Sequence, residues 1–168
     1  MKQGGKVLIV MGSDSDFPVL KATFQTLAKF GVEYKALVCS AHRTPEVAAK
    51  LSREAKNEGF SVIIAAAGLA AHLPGVMASF TTLPVIGLPV SGGAINGVDA
   101  LYSIVQMPKG IPVATVAIDG AENAALLAVS ILALSDEKLS EKMDEHKIEM
   151  EKMVEKRNLS LQEKLKEL

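Results

Sequence analysis

Apolar residues gather in five short runs along the chain: Val7–Val10, Tyr34–Val38, Val62–Ala66, Val85–Leu88 and Val113–Ile118. Within each run they are continuous rather than alternating. That is the pattern of parallel strands covered on both faces. Helical spacing fills the gaps. Pro18–Phe30 carries Val19, Leu20, Phe24, Leu27 and Ala28 on one face and stops before Gly31. Pro45–Glu58 opens with Thr44 as N-cap and Pro45 at the first helical position, and stops before Gly59. Leu73–Phe80, Val98–Gln106 and Ala121–Leu134 complete the alternation. Strand and helix in turn predict an α/β domain, a three-layer α/β/α arrangement with a central parallel sheet and right-handed crossovers. Periodicity does not fix the strand order.

The pattern changes after Ser135. The segment "SDEKLSEKMDEHKIEMEKMVEKRNLSLQEKLKEL" is charged, with Leu139, Met143, Met150, Met153, Leu161 and Leu165 in a stripe close to heptad spacing. It predicts one long amphipathic helix outside the sheet. The organisation expected is therefore an α/β domain over 1–134 and a helix over 135–168, the latter a contact with another subunit or with its own domain.

Composition narrows the function. The chain has 168 residues, suiting one domain, with 49% hydrophobic and 22% charged residues and a net charge of -1. There is no basic surplus for a nucleic-acid partner. The single cysteine, Cys39, excludes an internal disulfide and fits a reducing compartment. The opening "MKQGGKVLIV" has too short an apolar run for a signal peptide, and no stretch is apolar for long enough to span a bilayer. A cytoplasmic protein is expected. Aromatics at 4% are thin for a flavin or base-stacking site.

Ligands of open parallel sheets bind beyond the carboxyl ends of the strands. Three unusual loops fall there: "GSDSD" (Gly12–Asp16), "SAHRTP" (Ser40–Pro45) and "AGLAAHLPG" (Ala67–Gly75). Each leads into a helix N-terminus, where free N–H groups and the dipole favour an anion. Each residue also has a plainer reading. Ser15 or Asp16 can cap the following helix; Arg43 can be a surface side chain and His42 a satisfied loop histidine. His72 lies among residues too small for an ordinary core. His146, in the charged tail, reads as solvated. "GSDSD" lacks the lysine and spacing of a Walker loop, and no GxGxxG follows the first strand. No close-spaced ligand pair points to a metal. A phosphate-receiver domain would need an acidic cluster and a late lysine, which the small-residue third loop does not match.

With "MGSDSD", "SAHRTP", "AAHLPG", the run "YSIVQMPKGIPVATVAI" (Tyr102–Ile118) and "NAALLA" (Asn123–Ala128), the chain resembles the class I N5-carboxyaminoimidazole ribonucleotide mutase family from about Val7 to Leu134. The family is also known as the phosphoribosylaminoimidazole carboxylase catalytic subunit. Three departures stand out. Leu69 occupies a place where many relatives have glycine, Ser91–Ile95 is a variable loop, and Asp99-Ala100-Leu101 replaces the common "DSL". The resemblance implies a flavodoxin-like sheet and an isomerase of purine biosynthesis leading to IMP, which moves a carboxylate from the exocyclic nitrogen of an imidazole ribonucleotide to the adjacent ring carbon. It implies no cofactor, neither metal, ATP nor biotin. It implies a homo-octamer and a small-molecule ribonucleotide as the only ligand, with no nucleic acid or membrane. By the same resemblance Ser13 and Arg43 bind substrate, Ser15 and Ser40 lie near its phosphate, and Asp16 takes the ribose hydroxyls. Asp14 faces solvent. His42 cycles the proton and His72 orients the carboxylate or the loop. Ala41, Gly68, Ala70, Ala71 and Leu73 also bind substrate, and the small residues of the "AAHLPG" loop form a dry pocket that holds CO2. Two alternatives stay open: an enzyme that carboxylates aminoimidazole ribonucleotide with free CO2, and a non-catalytic nucleotide- or flavin-binding module.

Overall fold

The computed structural model describes residues 5–167. In chain order the elements are β1 (Lys6–Met11), a short 3-10 turn (Asp14–Asp16), α1 (Phe17–Phe30), β2 (Tyr34–Val38), α2 (Pro45–Ala55), β3 (Phe60–Gly68), α3 (Leu73–Ser79), β4 (Val85–Val90), α4 (Val98–Val105), β5 (Ala114–Thr115), α5 (Ala121–Ala133) and α6 (Glu137–Leu165). The strands form one sheet in the order β2-β1-β3-β4-β5, with every neighbouring pair parallel. This is the flavodoxin-like order, and the reversal beside β1 opens the crevice in which such sheets hold ligands.

The continuous apolar runs have a simple cause: the sheet is covered on both sides. Val7, Ile9 and Met11 of β1, with Val62, Ile64 and Ala66 of β3, pack under α1 and α5. The alternate residues Leu8, Val10, Ile63, Ala65 and Ala67 pack under α2, α3 and α4. Helix α4 comes so close that a Cβ on Gly87 would lie 2.3 Å from Ile104 Cγ2.

Two strands depart from expectation. β2 has the predicted bounds, but Tyr34, Lys35, Ala36 and Val38 are exposed. It is the edge strand, so one flank and much of its surface lack a neighbour. Tyr34 instead stacks on Phe24, with ring centroids 5.4 Å apart. The run Val113–Ile118 yields only the two-residue strand β5. Pro112 before it and Pro89 in the neighbouring strand carry no N–H for the ladder. The chain nevertheless stays beside β4 through Val116 N–H to Gly87 O (3.0 Å) and Asp119 N–H to Pro89 O (2.9 Å).

Helix α6 begins with Asp136, whose side chain accepts from Leu139 N–H. Its first half lies on its own domain. Leu139 is buried and Met143 partly so, Lys142 Nζ donates to Phe30 O at 2.7 Å, and Lys29 meets Glu149 at 2.9 Å. His146 is not solvated as its charged surroundings suggested. Its ring stands edge-on to Phe30, with centroids 5.7 Å apart, and both ring nitrogens are shielded and unpartnered among the described residues. The reason is helical phase, because His146 falls on the stripe of Leu139, Met143 and Met150. From Glu151 onward every described residue is exposed. No described helix is long and apolar enough to cross a membrane.

Candidate active site

The carboxyl ends of β1, β3 and β4 and the loop after β2 enclose a cavity of about 650 Å³. Its first wall is the turn after β1. Gly12 N–H continues the ladder to Ala66 O at 3.0 Å, and the chain then folds back on itself. Ser13 Oγ accepts from Ser15 N–H (3.2 Å) and from Ser15 Oγ–H (2.8 Å), while Ser13 N–H donates to Asp16 Oδ2 (3.1 Å). The cap therefore belongs to Ser13 and serves the 3-10 turn; neither Ser15 nor Asp16 caps α1 through its side chain. This arrangement separates the two aspartates. Asp14 is exposed, whereas Asp16 is 8% exposed and lines the cavity. Burial pushes the Asp16 carboxyl above its ordinary range. The Ser13 N–H and the Ser15 side chain pull it back in part, and the Asp14 charge adds to the rise.

The second wall is the loop after β2. Thr44 precedes α2 as expected but makes no cap bond to it. Its hydroxyl donates to Ser40 O (2.9 Å) and accepts from Ser40 N–H (3.1 Å), closing the loop into a ring. Ser40 Oγ receives Arg43 N–H (3.3 Å) and Arg43 Nε–H (3.4 Å), and Arg43 Nη2 leans towards Gly12 O at 3.5 Å. The ion pairs among the described residues are Lys29–Glu149 and Lys35–Glu58, so the Arg43 guanidinium meets no carboxylate. It is a cation free to take an anion.

The third wall follows β3. His72 N–H donates back to Ala70 O at 2.8 Å, which turns the imidazole towards the second loop. There His72 Nδ1 and His42 Nε2 share a hydrogen bond of 2.5 Å, with the rings perpendicular at 89°. One nitrogen must carry the proton and the other accept it, so each ring sets the tautomer of its partner. Residues 30 apart in sequence thus form one proton-handling unit.

The cavity gathers Ser13, Ser15, Asp16, Ser40, Ala41, His42, Arg43, Gly68, Ala70, His72 and Leu73. Ala71 alone among the expected site residues stands apart. It is 1% exposed and packs in the core beneath α2 and α3. The fourth wall, Val90, Ser91, Gly92 and Gly93, was not singled out by sequence beyond being a variable loop. Its position after β4, at the same sheet edge as the other three loops, is the signal by which it could have been found. Asp119 was also missed: its φ is 55°, and its Oδ1 accepts from Ser91 N–H at 2.8 Å, fastening the fourth wall. Among the described residues no group of three or more His, Cys, Asp or Glu side chains gathers to hold a metal ion.

A family model described as AIR carboxylase matches residues 6–153. The N5-carboxyaminoimidazole ribonucleotide mutase of Pyrococcus horikoshii is 54% identical over 155 residues, covering 92% of this chain and 88% of that protein. The phosphoribosylaminoimidazole carboxylase of Candida albicans is 51% identical over 150 residues, covering 89% of this chain but 26% of that longer protein. The crystal structure of Treponema denticola PurE superposes with a TM-score of 0.81 at 31% identity, covering 90% of this chain and 95% of that one. With all four walls of its cavity inside the matched span, this chain belongs to the AIR carboxylase family.

Proposed function

We propose that the protein is an isomerase of purine biosynthesis, converting N5-carboxyaminoimidazole ribonucleotide to 4-carboxyaminoimidazole ribonucleotide. The observation that carries this reading is the single cavity in which an unpaired guanidinium, a buried carboxylate and a coupled histidine pair face one another. A ribonucleotide monophosphate has one group for each. Arg43, Ser13, Ser15 and Ser40 take the phosphate, with Arg43 supplying a charge-assisted contact. Asp16 accepts from the ribose diol. His42 donates a proton to the exocyclic nitrogen as its bond to the carboxylate breaks and CO2 is released. The ring carbon then bonds to CO2, and the proton displaced from that carbon returns to His42. The cycle is balanced in atoms and electrons. His72 holds His42 in the tautomer each step needs. The names of the relatives agree with this reaction.

The deciding experiment supplies purified protein with N5-carboxyaminoimidazole ribonucleotide, and separately with aminoimidazole ribonucleotide plus bicarbonate. Faster conversion of the first is expected. Product formed from the second alone would reassign the protein as a CO2-using carboxylase, in keeping with the Candida relative's name.

The same reading extends to assembly. The protein is a cytoplasmic homo-oligomer, with eight copies as its expected size, and the outer half of α6 is a contact between copies. Two features support the α6 contact. Leu139, Met150 and Leu161 recur every eleven residues, as do Met143, Val154 and Leu165. An eleven-residue period holds one face of a helix in line. The face that packs on the domain at Leu139 and Met143 therefore continues past its edge, where Val154 and Leu161 are 64% and 52% exposed.

A further inference from the structure

Leu69 sits in a conformation unfavourable for leucine. Its φ is 55°, where a Cβ crowds the backbone and glycine is the usual occupant. Core packing does not compensate, since the residue is 56% exposed. Non-glycine residues kept in such a conformation cluster at functional sites. The side chain has a definite destination. Its Cδ2 lies 2.5 Å from the point that a Cβ on Gly93 would occupy, and Gly93 itself has φ 64°. Leu69 comes from the end of β3 and Gly93 from the loop after β4. Both line the cavity that holds His42 and His72. The third and fourth walls therefore meet through one apolar side chain, and the missing side chain at Gly93 makes room for it.

We propose that Leu69 is a retention residue, an apolar strap between the third and fourth walls of the cavity that keeps released CO2 from exchanging with solvent. This rests on the function proposed above. CO2 is small, neutral and apolar, so no hydrogen bond or charge in the cavity can hold it firmly. What holds it for the recapture step is a closed, water-poor wall. Glycine at position 69 would relieve the backbone and open a gap between the two walls.

The test runs the conversion of N5-carboxyaminoimidazole ribonucleotide in 13C-bicarbonate with carbonic anhydrase present, and reads the label in the product carboxylate by mass spectrometry. The native protein is expected to return mostly unlabelled product. Leu69→Gly and Leu69→Asn should both incorporate several-fold more label and release more aminoimidazole ribonucleotide per product formed. Both residues accept a positive φ, so the loop should fold in each variant, and thermal melts check this. Label incorporation equal to native in folded Leu69→Gly and Leu69→Asn would overturn the proposal, as would a changed oligomer mass with no change in label. If the native protein does not convert the substrate at all, the functional reading falls and the strap falls with it. Conversion without exchange in native and variants alike removes only Leu69.

Discussion

His42 and Asp16 illustrate two ways in which a single residue is set, one by a neighbour distant in sequence and the other by its own turn. His42 is hydrogen-bonded to His72, and Asp16 is buried beneath its own turn. His42→Asn should lower turnover by about 10²–10⁴, the usual loss when a general acid–base is removed, while a nucleotide monophosphate still binds. Steady-state kinetics beside calorimetric titration checks this; near-native turnover in the folded variant would remove His42 from the mechanism. For Asp16 the sign of the pH effect follows from burial. The folded pKa is raised, so the folded state binds the proton more tightly than the unfolded chain. The carboxyl thus favours folding below its unfolded pKa of about 4, and that contribution is lost as pH rises through the folded value. Asp16→Asn should therefore raise the Tm at pH 7, with a gain that narrows towards pH 4, and should weaken ribonucleotide binding at the same time. A lower Tm at pH 7 would mean that the Ser13 N–H bond to the carboxylate outweighs desolvation. His42 and Asp16 were legible as candidates because each follows a strand at the ligand edge. Their states were not, because the His42–His72 bond arises only when loops 30 residues apart converge, and the burial of Asp16 only when its turn closes over the sheet edge.

At the scale of elements, α6 is one helix with two environments. A chain ended after Met150 keeps Leu139, Met143, His146 and the Lys29–Glu149 pair, and should melt within a few degrees of the full chain. A chain ended at Ser135 uncovers the core at Leu139 and should melt well below both. Equal melting of all three by calorimetry would show that the inner half of α6 adds nothing to the fold. The stripe was readable from spacing alone. Where the domain stops beneath it was not, since that depends on the reach of α1 and α5. Element bounds were legible wherever punctuation was strong: α1 ends at Gly31, whose φ is 74°, and α2 starts at Pro45. They failed at β5, where two prolines interrupt pairing that an apolar run alone predicts.

For the whole molecule, the exposed outer half of α6 and the open edge at β2 leave apolar surface that a lone chain would present to water. Light scattering at micromolar concentration should give a mass several times 17.7 kDa, and the chain ended after Met150 should give a smaller one. A monomer mass for the full chain would defeat the assembly proposal. Local sequence was enough for the α/β class, the order of strands and helices with their bounds outside β5, and the three loops on which the chemistry was expected. These follow from local periodicity and turn residues, which act over a few positions. The strand order was foreseen through family resemblance but not through any local pattern; the folded chain settled the exposure of β2, the core placement of Ala71, the fourth wall tied by Asp119, the His42–His72 bond and the reach of Leu69 to Gly93. Each of these depends on which strand ends lie side by side. That is settled by burying both faces of one sheet at once, and no short window of residues records it.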